Sequence, residues 1–207
     1  MVRVYGPAMS LDASGTLAET ITFTKWKGRN VLRQRVIPAN PKSGPQVGMR
    51  SMMKFLAQFW TSVSVGNKAT WETRAKLTNI APFNAFCSYN MKRWRSFKGP
   101  TKVDPAIDTG AGGNAPTTTP TGGIRQISLS IADGAAPPGW GWFIHRSLLT
   151  GFTPGYDNAV AVIPRTGTPT IFVDSPLEAA TYFYRICGFG IDGLKGTLEV
   201  ERSASAT

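Results

Sequence analysis

The apolar positions change period along the chain, and each change predicts a change of element. Between Thr20 and Val36, Ile21, Phe23 and Val31 fall at strand-like positions around Trp26-Lys27-Gly28-Arg29-Asn30, a bend in which glycine takes a positive φ at no steric cost. This stretch reads as a β-hairpin arm. The first dozen residues are mixed and carry Gly and Pro, and Ser14-Gly15 precedes the arm, which suits an extended leading segment ordered by a partner. After the arm, Pro41 and Pro45 forbid regular pairing, and Ser43 with Gln46 three residues on has the spacing of a capping box.

From Gln46 to Val63, Val47, Met52, Met53, Leu56, Phe59, Trp60 and Val63 step by three and four, with Arg50, Lys54 and Gln58 on the opposite stripe. This is the pattern of an amphipathic helix. Gly66-Asn67 then predicts a stop and a new N-cap, followed by a short helix marked by Trp71, Ala75 and Thr78, with Glu72 in its first turn. A third apolar stripe, Phe83, Phe86, Cys87, Asn90, Met91 and Trp94, ends in Lys92, Arg93, Arg95 and Lys98, cations suited to a helix C-terminus. The aromatic and methionine residues of these three helices, Met52, Met53, Phe55, Phe59, Trp60, Trp71, Phe83, Phe86 and Trp94, read as core rather than as a base-stacking box.

Gly99 to Gly123 is almost entirely Gly, Pro, Thr, Asp and Ala and has no apolar period, so it reads as a semi-extended linker. Beyond it the period becomes two: Ile127, Leu129 and Ile131 alternate with polar residues, and further strand-like runs follow at 140–146, 159–163, 170–173, 180–186 and 196–200. Six or seven short strands separated by Gly, Pro, Asp and Asn clusters predict a β-sandwich. The expected fold class is therefore α+β with two domains: a basic β-arm and three-helix domain over 1–98, a linker over 99–115 and an all-β sandwich over 116–207.

Charge sharpens this division. Residues 1–103 carry 17 Lys+Arg against 3 Asp+Glu, a net of +14, whereas residues 104–207 carry 6 against 9, a net of −3. Trp26, Lys27, Arg29, Arg33, Arg35, Lys42, Arg50 and Lys54 are the candidate partner-binding residues, and their surface wants an anionic partner. The pattern shows neither a signal peptide nor a membrane span, which predicts a protein made in a cytoplasm. Cys87 and Cys187 make neither a disulfide framework nor a metal set and read as buried thiols in different domains.

Catalytic chemistry finds little support. Gly188-Phe189-Gly190-Ile191-Asp192-Gly193 matches a dinucleotide fingerprint, but the residues after it are strand-like, so a hairpin turn is expected there. His145 is the sole histidine and reads as a surface or sandwich-edge residue without a nucleophile partner. The acids lack metal-ligand or paired-carboxylate spacing. No enzyme, cofactor, metal or small-molecule substrate is expected.

Two resemblances add to these readings. Leu177, then Tyr182-Phe183-Tyr184-Arg185-Ile186, then Gly188 to Gly196, together with the Trp142 strand, resemble a fibronectin type III domain over about residues 116–202. That resemblance implies that the Tyr182 hydroxyl anchors a strand corner and that Trp142 packs in the core; the long, Gly-rich loop Gly151 to Asn158 departs from it. Trp26-Lys27-Gly28-Arg29-Asn30, Arg33, Arg35, Asn40-Pro41, Gln46 and Arg50 are similar to a group of uncharacterised bacteriophage and prophage proteins over about residues 14–97.

The second resemblance implies a virion-associated structural role in a tailed phage, as a capsid decoration, head-associated or tail component present in many symmetric copies. The partners it implies are other virion proteins, met through the basic N-terminal half. Nucleic acid bound by the same arm is the alternative, and a solvated basic face without a partner is the bland reading.

Overall fold

In the computed structural model, the described residues are 2–3, 15–17, 20–37, 43–110 and 112–207. They fall into two compact units, Met1–Pro41 and Lys42–Thr207.

The first unit is a four-stranded antiparallel sheet. Strands β1 (Val2–Arg3), β2 (Gly15–Leu17), β3 (Ile21–Trp26) and β4 (Arg29–Gln34) lie in the order β1-β4-β3-β2. The expected hairpin is β3–β4. Its two-residue loop has Lys27 at φ 49° and Gly28 at φ 75°, the double positive φ of a primed turn whose twist matches that of the strands it joins. The leading segment lies outside the described residues except for β1 and β2.

In the second unit, helices α1 (Gly44–Trp60), α2 (Val65–Thr78) and α3 (Pro82–Arg95) precede strands β5 (Thr117–Gly123), β6 (Gln126–Ala132), β7 (Gly141–Ser147), β8 (Ala159–Pro164), β9 (Thr170–Asp174), β10 (Ala180–Phe189), β11 (Lys195–Leu198) and β12 (Arg202–Ala206). One sheet has the order β11-β10-β7-β8, with β12 also on β10, and the other is β5-β6-β9. All the pairings are antiparallel. This is the anticipated sandwich of immunoglobulin-like build.

Side-chain alternation on β7 builds two cores, because successive residues of a strand point to opposite faces. Trp142 and Ile144 face inward with Ile127, Leu129, Ile131, Tyr184 and Ile186, between the sheets. Phe143 faces the other way and joins Met52, Phe55, Leu56, Trp71, Phe86 and Trp94 of the helices, with Trp140, Val162 and Phe189. The helices, the larger sheet and the smaller sheet are thus three layers of one body.

The domain boundary expected at 99–115 is corrected accordingly. Side chains of the helices tie residues 99–108 down. Asn90 exchanges hydrogen bonds with the backbone of Thr101 at 2.7 and 3.1 Å, the Trp71 indole N–H donates to the Lys102 carbonyl at 2.8 Å, and Arg74 pairs with Asp104 at 2.6 Å. A sequence without apolar period looked like a spacer because side chains elsewhere in the chain satisfy its backbone. Thr117–Gly123, inside the same stretch, is the edge strand β5, which can carry Pro120 because an edge need not donate every hydrogen bond.

Smaller corrections concern the helix starts and single residues. Ser43 occupies the N-cap of α1 but makes no side-chain cap bond, so the capping box with Gln46 is not formed. The N-cap of α2 is Ser64, whose hydroxyl accepts from the Asn67 N–H at 3.3 Å, and Glu72 consequently lies beyond the first turn. Met53 is exposed rather than core. Cys87 and Cys187, expected in different domains, belong to one core.

Candidate docking surface

The β3–β4 register sets Trp26 opposite Arg29, Thr24 opposite Val31 and Thr22 opposite Arg33. Residues directly opposite in an antiparallel pair share a face, so the tight turn gathers Trp26, Arg29 and Arg33 on one side of the arm. Trp26 is 58% exposed, and the Lys27 ammonium stands 4.9 Å from its ring centroid, a cation–π contact of the exposed class. Arg29, Arg33 and Arg35 are exposed. The Arg35 backbone N–H donates to the Thr20 carbonyl at 2.7 Å and closes the open end of the hairpin. The arm therefore presents an indole beside guanidinium groups at defined positions.

Arg50 and Lys54 belong to the second unit, on the solvent stripe of α1, where both are exposed. Arg50 and Gln46 border a shallow groove of about 280 Å³ with Pro45, Met49 and Tyr156. Asn40, Pro41 and Lys42 lie outside the described residues.

Of the residues assigned structural roles, three lie in the sandwich. Trp142 and Leu177 are buried. The Tyr182 hydroxyl donates to the Glu178 carbonyl at 3.2 Å, four residues upstream, which is the corner expected of this residue.

Sequence reading missed the small residues that seat α1 on the sandwich. A Cβ at Gly48 would stand 2.7 Å from the Ala159 carbonyl oxygen, and one at Gly44 would collide with the Asp157 carbonyl. Ser51, on the same stripe, accepts from the Val162 N–H at 2.7 Å. The spacing 44, 48, 51 was a readable signal of close backbone approach. Arg93, expected as a helix-end cation, is instead buried; it donates to the Gly99 and Gly193 carbonyls, both at 2.8 Å, and pairs with Asp108. That guanidinium holds the Asp108 carboxyl below its ordinary range.

The titratable groups considered as candidates for chemistry are buried or paired. His145 is fully buried rather than at a surface or edge: its Nδ1 lies 3.1 Å from the Arg185 carbonyl and its ring meets Phe97 edge-on at 5.1 Å. Burial pushes its pKa down to about 4, against the opposing hydrogen bond to Arg185 and with a smaller push from Lys195. Burial likewise raises the thiols, Cys87 to about 11 and Cys187 to about 12, which keeps both protonated and poorly nucleophilic. Asp104, Asp108, Asp133, Asp174 and Glu199 each meet an arginine. Asp174 also accepts from the Tyr184 hydroxyl at 2.8 Å. Among the described residues, no group of three or more His, Cys, Asp or Glu could hold a metal ion, and no helix is long and apolar enough to cross a membrane. The glycine fingerprint Gly188–Gly193 covers the last two residues of β10 and the start of the β10–β11 connection, with Gly193 at φ 105°; strand β11 follows it, and no helix N-terminus is there to receive a phosphate.

No protein-family model matches the chain, and no curated protein matches it. Among solved structures it is similar to a β-1,2-glucanase from Parabacteroides distasonis, at 17% identity and TM-score 0.39, over 49% of this chain and 14% of that one. It is also similar to the fibronectin type III domain of human fibronectin type III domain containing protein 3, at 15% identity and TM-score 0.34, over 48% of this chain and 91% of that one.

Proposed function

We propose that the protein is a non-catalytic structural component of a tailed-phage virion, a capsid decoration, head-associated or tail protein. It docks on other virion proteins through the basic N-terminal arm and displays the immunoglobulin-like body. The observation that carries this reading is the arm face: Trp26, Arg29 and Arg33 are held together by a two-residue turn and exposed. Such a face suits an acidic protein lattice, where many copies make modest contacts add up. The similarity of residues 14–97 to phage and prophage proteins supplies the kind of particle. The second reading, nucleic-acid binding, is favoured by one feature: the exposed Trp26 indole beside cations could stack on a base.

Binding of the purified full chain to empty, nucleic-acid-free particles, beside binding to free DNA at physiological salt, separates the two. The expected result is retention on the empty particle, lost when Arg29 and Arg33 are replaced by Ala. Retention by DNA alone, with a logarithmic affinity falling by about 0.7 to 0.9 per phosphate contact in log salt, transfers the assignment to the second reading.

A further inference from the structure

An open sheet edge offers unpaired backbone groups to any extended chain, so proteins cover their edges or blunt them with charge and proline. Three edges of the body are covered by the chain itself. At β8, Ser51 of α1 takes the Val162 N–H. At β11, the Thr197 N–H donates to the Gly113 carbonyl at 3.1 Å. At β5, Gly122 lies against the Ser205 backbone of β12 and the Thr207 N–H donates to the Gly123 carbonyl at 3.1 Å. The fourth edge is β9. Among the described residues it pairs on one side only, with β6.

Its sequence is Thr170-Ile171-Phe172-Val173-Asp174, with no lysine, glutamate or proline inside it. Ile171 and Val173 point outward, 58% and 47% exposed. The single charge, Asp174, is spent on Arg146 and Tyr184.

We propose that β9 pairs antiparallel with β9 of a second copy of this chain, about a two-fold axis through Phe172. An isologous contact must be self-complementary, and this strand is. Centring on Phe172 sets Ile171 directly opposite Val173 of the copy on the outer face, a β-branched cross-strand pair made twice. The half-buried Phe172 then faces its own copy on the inner side. Pro169 and Pro176 bracket the strand and cannot donate to a ladder, so a slipped register would lose hydrogen bonds and leave an isoleucine or valine unmatched. An outward face without charge gives a charged peptide no purchase, whereas an identical neutral strand fits it. The two three-stranded sheets join into one.

The test is sedimentation of the full chain across concentration. The wild type should reach twice the chain mass, and the double variant Ile171→Lys, Val173→Lys should stay at the chain mass with an unchanged circular dichroism spectrum. Register is read by oxidising cysteine variants. A mixture of Ile171→Cys and Val173→Cys should cross-link, since opposite residues lie within disulfide reach, and either alone should not, because the diagonal exceeds it. The native cysteines are buried and do not compete. A wild type that stays monomeric at every concentration overturns the proposal. So does a dimer that persists in the lysine variant, and so does cross-linking of the single variants as fast as the mixture.

Discussion

The arm and the body spend their arginines differently. In the body, Arg74, Arg93, Arg146, Arg165 and Arg202 each meet a carboxylate, and Arg93 also ties Gly99 to Gly193 across the fold. In the arm, Arg29 and Arg33 stand exposed beside an exposed tryptophan on a small sheet. Charge built into a fold is satisfied by that fold and has little left to offer a partner, whereas charge on an exposed hairpin face costs little to keep and is available. The body is where substitutions should cost stability, and the arm is where they should cost binding.

The largest expected effect comes from Phe143, which stacks on Phe189 at 4.4 Å between ring centroids and meets Trp94 at 4.9 Å. Because it joins the helices to the sheet, Phe143→Ala should destabilise the body by about 3 to 5 kcal/mol. Helix and sheet signals should be lost in one coincident urea transition. Two separated transitions, or a fragment spanning 116–207 that melts like the whole chain, would break the picture of a single body and restore a domain split.

This junction also marks where the sequence was legible and where it was not. The three amphipathic stripes, the Lys27-Gly28 turn and the Tyr182 corner are local signals, and the structure contains all three. The shared core is a non-local fact. Even so, Trp142-Phe143-Ile144 is apolar on both parities, the mark of a strand buried on both faces, and it pointed to a layer over each side of the sheet. Residues 99–108 carried no comparable signal, because Asn90, Trp71, Arg74 and Arg93 hold them from other elements. The β12 strand, RSASA, is too short and polar to announce itself; only its pairing with β10 makes it a strand. At the candidate docking surface the basic residues were legible by type, while their grouping on one face needed the strand register.

His145 probes the same junction by pH. Its folded pKa of about 4 lies below the ordinary 6.5, so between those values the unfolded chain takes up a proton that the folded one refuses. Stability from this group is full above pH 6.5 and falls as pH drops towards 4, by about 3 kcal/mol in total. Urea titrations at pH 7 and pH 4.5 should show a steeper loss in the wild type than in His145→Leu, which removes the titrating ring. Equal losses would place His145 in contact with water and contradict its burial under Phe97.

A smaller cost is expected at Tyr182. Its ring is held by the core between the sheets, with the Arg146 guanidinium 5.3 Å from its centroid, so Tyr182→Phe keeps the packing and deletes only the hydrogen bond to Glu178. A loss of about 1 kcal/mol follows, read as a lower melting midpoint of the full chain. An unchanged midpoint would mean that the corner is fixed by packing alone.

The smallest stability effect, and the sharpest contrast, belongs to the arm. Arg29 and Arg33 lie on exposed positions of β4, where substitutions away from caps and cores stay within about 0.5 kcal/mol. Arg29→Ala with Arg33→Ala should therefore leave the melting midpoint in place while abolishing retention on empty particles. Trp26→Ala separates the two docking chemistries further. Its indole stands at the same end of the hairpin as Arg29, so a base-stacking role predicts a loss of about 1 to 3 kcal/mol in single-strand binding. An acidic protein lattice held by the guanidinium groups predicts that retention survives in Trp26→Ala and falls only with the arginines. A variant that unfolds when Arg29 and Arg33 are removed would show that the arm uses its cations as the body does, and the division of labour between them would fail.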